Sequence, residues 1–190
     1  MKRSSFAIVL LILILLFAAA DYTFNISHLR SGSTVSSPDA APNYTESLLK
    51  KDPLALEYSL ARRIRTTHLF EKIDVTGLPE LRVYQSRLEK PGANQLMLYE
   101  IQGKKDQGGL NYLNLKLKFL ETLDATESLN ETNEFGDGSF YFNDLNAPEY
   151  SFLMVQIKDN VFGFQFDKNS PQDFQVVKSL ITTSTVLFSS

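Results

Sequence analysis

The feature that most restricts the fold is a pair of alternating runs near the C-terminus. Residues 151–158 and 161–168 flank Asp159-Asn160, a two-residue turn of the kind that closes a β-hairpin. A turn there sets Ile157 opposite Phe162, Val155 opposite Phe164 and Leu153 opposite Phe166, so six large apolar side chains share one face. Phe152, Met154, Gln156 and Lys158 share the other face with Val161, Gly163, Gln165 and Asp167. Burying an apolar side chain of that size is worth about 1.5 to 3 kcal/mol. A one-residue slip would turn all six to water, so the hairpin demands a sheet whose Leu153 face is covered.

The covering elements are legible on either side. Ser170 is placed to cap a helix with Pro171 in its first turn and Asp173 three residues on. Phe174, Val177 and Ile181 mark its buried side, and the β-branched tail predicts an end near Thr183. Residues 138–143, Gly-Ser-Phe-Tyr-Phe-Asn, read as a further strand, while 81–86 and 95–101 read as a hairpin around the Pro-Gly turn 89–94. Asp52-Pro53, followed by Leu56, Leu60 and Ile64 at four-residue spacing, predicts a helix over 53–66. It would carry Arg62, Arg63 and Arg65, read as a solvated face or as a contact for lipid headgroups or an acidic partner. Over 110–123 two periods compete: Leu113, Leu115, Leu117 and Phe119 alternate as in a strand, whereas Leu110, Leu113, Leu117 and Leu120 form a helical stripe. The Leu and Lys content, with no Val, Ile or Thr between Leu110 and Glu121, favours the helix, and the strand stands as the alternative. The expected fold is α+β, an antiparallel sheet covered by helices as a two-layer or α/β/α sandwich, in a single domain over 52–190.

From Gly136 onward the chain runs through the Gly-Ser-Phe-Tyr-Phe strand, the hairpin between Phe152 and Phe166, and then Ser-Pro-Gln-Asp-Phe-Gln-Val-Val-Lys-Ser-Leu-Ile. In the order and spacing of these elements, residues 136–185 resemble the second half of PsbP-like α/β sandwiches. The resemblance implies an exported, non-enzymatic accessory domain that binds a larger assembly. No binding residue carries over from it.

Residues 1–20 read as a membrane-targeting segment: Lys2-Arg3, an apolar run from Phe6 to Phe17, then small residues at Ala18 and Ala20 that fit an A-x-A cleavage site. Two fates are open. Cleavage after Ala20 would release a domain of net charge −5, since Lys2 and Arg3 would leave a chain whose full charge is −3. Retention would use residues 4–20 as a single-pass anchor, 17 residues or about 26 Å of helix against a hydrocarbon core of about 30 Å. Either fate makes the remainder extracytoplasmic. Residues 21–51 read as a flexible linker, because eight of the twelve residues from Ser31 to Pro42 are Ser, Thr, Gly or Pro. Sequons at Asn25, Asn43 and Asn130 occur at a density that chance supplies.

Chemistry is scarce. The chain has no cysteine, which removes disulfides, thiolate metal sites and cysteine nucleophiles, and its two histidines, His28 and His68, lie far apart in sequence. An acidic balance argues against nucleic acid as a partner. Gly108-Gly109 and Gly136-Asp-Gly138 are too short to cradle a nucleotide. The acidic run Asp124, Glu127, Glu131, Glu134, Asp137, Asp144 and Glu149 lacks the ordered spacing of a calcium loop. It reads as a charged strand edge, and residues 50–72, with six basic and three acidic side chains, could complement it within the fold or between copies. Gly163 in its strand marks a packing need, a bulge or the close approach of a ligand.

No catalytic, cofactor-binding or metal-ligating residue is assigned, and the expected function is a non-catalytic module that binds a protein partner. A carrier holding an apolar ligand behind Phe162, Phe164 and Phe166 ranks second, and a carboxylate-dependent hydrolase third. The first reading expects a filled core and an exposed patch, the second an internal cavity, the third two acids converging in a cleft. The intact mass of the protein from its native host separates the two fates of the N-terminus. A mass beginning at Asp21 in the soluble pool marks a cleaved signal, and full length in the membrane pool marks an anchor.

Overall fold

The computed structural model describes residues 42–189 apart from 79, 93 and 94. The apolar segment 1–20, the sequon at Asn25, His28 and the linker up to residue 41 lie outside the described residues. In chain order the elements are α1 (Tyr44–Lys51), β1 (Ser59–Thr66), β2 (His68–Leu69), β3 (Ile73–Asp74), β4 (Arg82–Glu89), β5 (Leu96–Gln102), α2 (Gly108–Thr122), β6 (Glu127–Glu131), β7 (Gly138–Asp144), β8 (Tyr150–Ile157), β9 (Asn160–Asp167) and α3 (Pro171–Phe188). Seven strands form one antiparallel sheet in the order β1-β4-β5-β9-β8-β7-β6, and β2 pairs with β3 in a short separate hairpin. Helix α2 carries the chain from the middle of the sheet to its far edge. The meander β6 to β9 then returns to pair with β5.

Both faces of the sheet are packed over its middle strands. Leu153, Val155, Ile157, Phe162, Phe164 and Phe166 pack with Leu48 and Leu49 of α1 and with Val176, Val177, Leu180 and Ile181 of α3. On the other side Phe140, Phe142, Phe152, Met154 and Val161 pack with Tyr112, Leu115 and Phe119 of α2 and with Leu69, Phe70 and Ile73 of the β2–β3 arm. The six-residue face is therefore core, as the alternation required, and the reverse of the hairpin is core as well. This is the helix-covered α+β class, with the ambiguous segment as helix α2 and the strands at 82–89, 96–102 and 138–144 in place.

The hairpin register differs from the one read from sequence. Val155 faces Phe162, Leu153 faces Phe164, Ser151 faces Phe166, and Ile157 faces Asn160, so the turn is centred on Lys158-Asp159. The displacement is two residues, an even number, so every side chain keeps its face. Lys158 takes the left-handed conformation at φ 54, and its N–H donates to Asp137 Oδ2 at 2.7 Å, which places the turn one residue earlier than Asp159-Asn160 would.

The helix expected over 53–66 does not form. Asp52 is instead the C-cap of α1, with its own N–H bonded to Leu48 O, and its carboxylate accepts from Leu54 N and Ala55 N to turn the chain. Residues 59–66 become edge strand β1 on β4. The outer row of β4 backbone groups needs partners, and that ladder outweighs the few tenths of a kcal/mol per residue that separate helix propensities. The domain correspondingly starts earlier than residue 52: the compact unit begins at Asn43, so the last eight residues of the expected linker are helix α1. Helix α3 runs to Phe188, beyond Thr183. Thr182, Ser184 and Thr185 donate their hydroxyls to carbonyls four residues back, and Phe188 packs on Tyr44 and Phe162, which holds the last turn.

The entry of the chain into the domain is pinned by one carboxylate. Glu100 on β5 is 1% exposed and accepts from Tyr44 N (3.2 Å) and Thr45 N (3.1 Å) at the start of α1, from the Thr45 hydroxyl, and from Gln102 Nε2 (3.4 Å). Arg63 of β1 donates Nε to Oε1 and Nη2 to Oε2, each at 3.2 Å, while its guanidinium lies 4.1 Å over the Tyr84 ring. Backbone amides at a helix N-terminus and a two-pronged guanidinium are both donors suited to a carboxylate. Removing one member of a buried pair of this kind costs about 3–5 kcal/mol. Glu100→Ala should lower the urea-unfolding free energy by about that amount, and Glu100→Gln, which keeps one acceptor, by less. Amide exchange at Tyr44 and Thr45 should accelerate in both variants, and an unchanged rate would remove Glu100 as the pin.

Candidate functional site

Helix α2 is apolar on two opposite sides. Asn111, Tyr112, Leu115 and Phe119 lie on the sheet side, and three close contacts fix how the helix is rotated. A Cβ at Gly108 would sit 2.0 Å from the carbonyl of Lys158, one at Gly103 would sit 2.1 Å from the Asn111 amide, and one at Gly138 would sit 3.2 Å from the Tyr112 ring. With the rotation set this way, Leu110, Leu113, Leu117 and Leu120 point outward and remain 52, 48, 48 and 46% exposed. Their 3-4-3 spacing is that of the a and d positions of a heptad. Completing the burial of four half-exposed leucines would be worth on the order of 3–6 kcal/mol as an upper estimate. Lys116 pairs with Glu131 and Lys118 with Glu121 (3.7 Å), so the charges beside the ridge are tied up laterally. At its N-terminal end the ridge opens into a surface groove of about 310 Å³ between α2 and Leu78 and Leu81.

The residues singled out in sequence are distributed as follows. Within the acidic run, Glu127 and Asp144 are cross-strand partners that meet on Lys72, Glu131 pairs with Lys116, and Asp137 pairs with Lys158 (3.4 Å). Lys72 thus realises within the fold part of the expected complementarity between residues 50–72 and the acidic run. Asp124 and Asp144 are held below the ordinary carboxylate range. For Asp124 the Thr126 hydroxyl and N–H are responsible; for Asp144 burial pushes upward but Lys72 and the Asn146 amide more than offset it. Glu131 is lowered in the same way by Lys116. None of these three shifts is in the direction a general acid needs. Among the described residues no group of three or more His, Asp or Glu side chains is arranged to hold a metal ion.

Of the arginine cluster, Arg63 turns inward to Glu100, and Arg62 and Arg65 stay exposed on the edge strand. His68 is exposed on β2, its ring 3.1 Å from the Thr67 hydroxyl. Asn43 is the N-cap of α1, accepting from Glu46 N at 3.2 Å, and the Thr45 hydroxyl of that sequon is buried against Glu100. Asn130 lies exposed on β6. The space above Gly163 is occupied by Phe70, whose ring atom would lie 3.2 Å from an added Cβ and which packs edge-on to Tyr99 and tilted on Phe152. Phe162 and Phe164 are fully buried in the cluster under α1 and α3, and Phe166 packs on Phe174. The β2–β3 arm that supplies Phe70 has no signal in the sequence beyond two β-branched residues, Ile73 and Val75. The leucine ridge did have one: it is the same helical stripe that made the segment ambiguous.

No family model, no curated protein and no solved structure matches the chain. Among the described residues no helix is long and apolar enough to cross a membrane.

Tyrosines carry the large upward titration shifts, and they belong to the core. Burial, then the Asp173 charge and the hydrogen bond Tyr58 donates to it (3.1 Å), push Tyr58 up to about 12, and burial followed by the Glu131 charge pushes Tyr112 to about 12. Unfolded tyrosine ionises near 10. The folded state therefore holds the Tyr58 proton more tightly, and this contribution to stability is complete below pH 10 and lost as pH rises through about 12. Tyr58→Phe should lower stability at pH 9 by about 1–2 kcal/mol through the lost bond to Asp173. Its urea midpoint should then fall less than the wild-type midpoint between pH 9 and about 11.5; equal declines would contradict the assignment.

Proposed function

We propose that this chain is a non-catalytic extracytoplasmic module, delivered by its apolar N-terminal segment, that docks a protein partner on the leucine ridge of α2. The observation that carries the reading is the second apolar side of that helix. A helix already buried on one side has no folding reason to present four leucines at heptad spacing on the other, and such a ridge is a contiguous patch of the kind that marks interaction surfaces. The occupant it fits is the apolar face of a partner helix, because a and d spacing offers knobs to the holes of a second helix. The resemblance of residues 136–185 to PsbP-like sandwiches supports the same reading, an accessory domain attached to a larger assembly. A filled cluster around Phe162 and Phe164 speaks against the carrier, and the salt-bridged acids with lowered values speak against the hydrolase.

A photo-crosslinking residue at Leu117, with one at exposed Thr182 on α3 as control, tests this in the native host. Leu117 should give a discrete protein adduct that Thr182 does not. The partner, once purified, should bind the Leu113→Glu/Leu117→Glu variant at least tenfold more weakly than wild type. Both leucines are half in water, so the variant should fold with nearly unchanged thermal stability. Equal adducts at both positions would overturn the reading, as would lipid vesicles binding wild type and not the variant, which would give the ridge to the membrane.

A further inference from the structure

On the α2 side of the sheet, the strip formed by β1, β4 and β5 lies beyond the helix and is left partly open. A surface groove of about 180 Å³ runs over it, lined by Arg62, Ile64, Glu71, Gln85, Arg87, Gln95 and Met97. The register sets Arg62 of β1 directly opposite Arg87 of β4. Two like charges in that relation repel, and a sheet normally avoids the arrangement or neutralises it. Here neutralisation is incomplete. Arg87 donates Nη2 to Glu89 at 2.8 Å, yet its Nε is buried without a hydrogen-bond partner. Arg62 forms no ion pair or hydrogen bond with any described residue, and Glu71, which lines the groove, pairs with neither guanidinium.

We propose that this groove binds a small oxyanion, a carboxylate or a phosphate group, held between the guanidinium groups of Arg62 and Arg87. The chemistry follows from the donors. A guanidinium presents a planar fork that matches two oxygens at once, and the buried Nε of Arg87 is a donor with no other acceptor. An anion between the two side chains removes the cross-strand repulsion and gives the part-exposed Arg87 side chain a second acceptor beside Glu89. Gln85 and Gln95 flank the position with amides, and Ile64 and Met97 give it an apolar floor that suits the short carbon skeleton of an organic acid. The volume is below the 300–1,000 Å³ typical of drug-sized ligands, so the occupant is a small molecule or the charged end of a larger one. The groove is separate from the leucine ridge, and the inference does not depend on the docking proposal.

The test uses the full chain in mild detergent, with inorganic phosphate and propionate as probes and chloride making up constant ionic strength. Either probe should shift the Arg87 Nε–H resonance saturably, with half-saturation at millimolar concentration or below. Saturation by propionate alone identifies a carboxylate site, and saturation by phosphate alone a phosphoryl site. Arg87→Lys, which keeps the charge and loses the fork, should weaken binding at least tenfold, and Arg65→Lys should leave it unchanged. Arg62→Gln, on the exposed edge strand, provides a second variant with the same expected loss should Arg87→Lys perturb the sheet. Linear, unsaturated shifts of equal size at Arg62, Arg65, Arg82 and Arg87 would overturn the proposal, because they report screening alone.

Discussion

The buried carboxylate of Glu100 is the interaction on which the arrangement of the domain's first half depends. It sits on β5, near the middle of the sheet, and gathers the first two amides of α1, the Thr45 hydroxyl and the Arg63 fork. Three pieces of chain that are remote in sequence are located by it: the helix that begins the domain, the edge strand β1, and the strands beneath them. Thr45 also meets the Ser86 hydroxyl at 3.0 Å, which extends the network to β4. With its first turn fixed by this acceptor, α1 lays Leu48 and Leu49 over Leu88, Leu96 and Leu98. A second buried carboxylate, Asp52, does the equivalent service at the other end of α1, accepting from Ser179 (3.0 Å) and Thr183 (2.8 Å) of α3. Helix α1 is thus held at both ends by side-chain acceptors, and eight residues suffice for it to be stable.

The same logic of close contact explains the surface. Helix α2 is oriented by the close approach of Gly108 to the Lys158 carbonyl and of the Asn111 and Tyr112 side chains to Gly103 and Gly138. Its outer leucines are therefore presented by the packing of its inner side, and the ridge is as well placed as the core beneath it. The two edges of the sheet differ in kind: the acidic edge is neutralised from within by Lys72 and Lys116, whereas Arg62 and Arg65 on the basic edge are left to solvent or to a ligand. Charge on an edge strand also discourages other chains from adding to it.

Legibility in the sequence followed the reach of each interaction. The β4–β5 hairpin, the strand at 138–144 and the start of α3 at Ser170 and Pro171 rest on neighbours within a few residues, and they were readable, whereas over 110–123 the sequence favoured the helix and left the strand open. The failures are non-local. Asp52-Pro53 reads as a helix start and is a helix end, because the carboxylate caps a turn and reaches α3 more than a hundred residues away. Leu56, Leu60 and Ile64 imitate a helical stripe while β4 claims the segment as a strand. Hairpin register slid by two because Asp137, twenty-one residues upstream, accepts from the turn. Of the two candidate sites, the leucine ridge was visible as a stripe with no face assigned, and the Arg62–Arg87 groove was invisible, since strand pairing alone brings those two residues together.

The amino-acid sequence by itself determined the class of the fold, the apolar face that Leu153, Val155, Ile157, Phe162, Phe164 and Phe166 share, and the absence of cysteine and of paired histidines from any chemistry. Periodicity, turn residues and composition are local, and a reader of the chain has them all. Only the tertiary structure decided which side of α2 meets water, which arginine is neutralised by Glu100 and which is left opposite Arg87, and where the domain begins. Each of those depends on backbone approach or charge pairing across strands distant in sequence, and no local pattern encodes a distance in space.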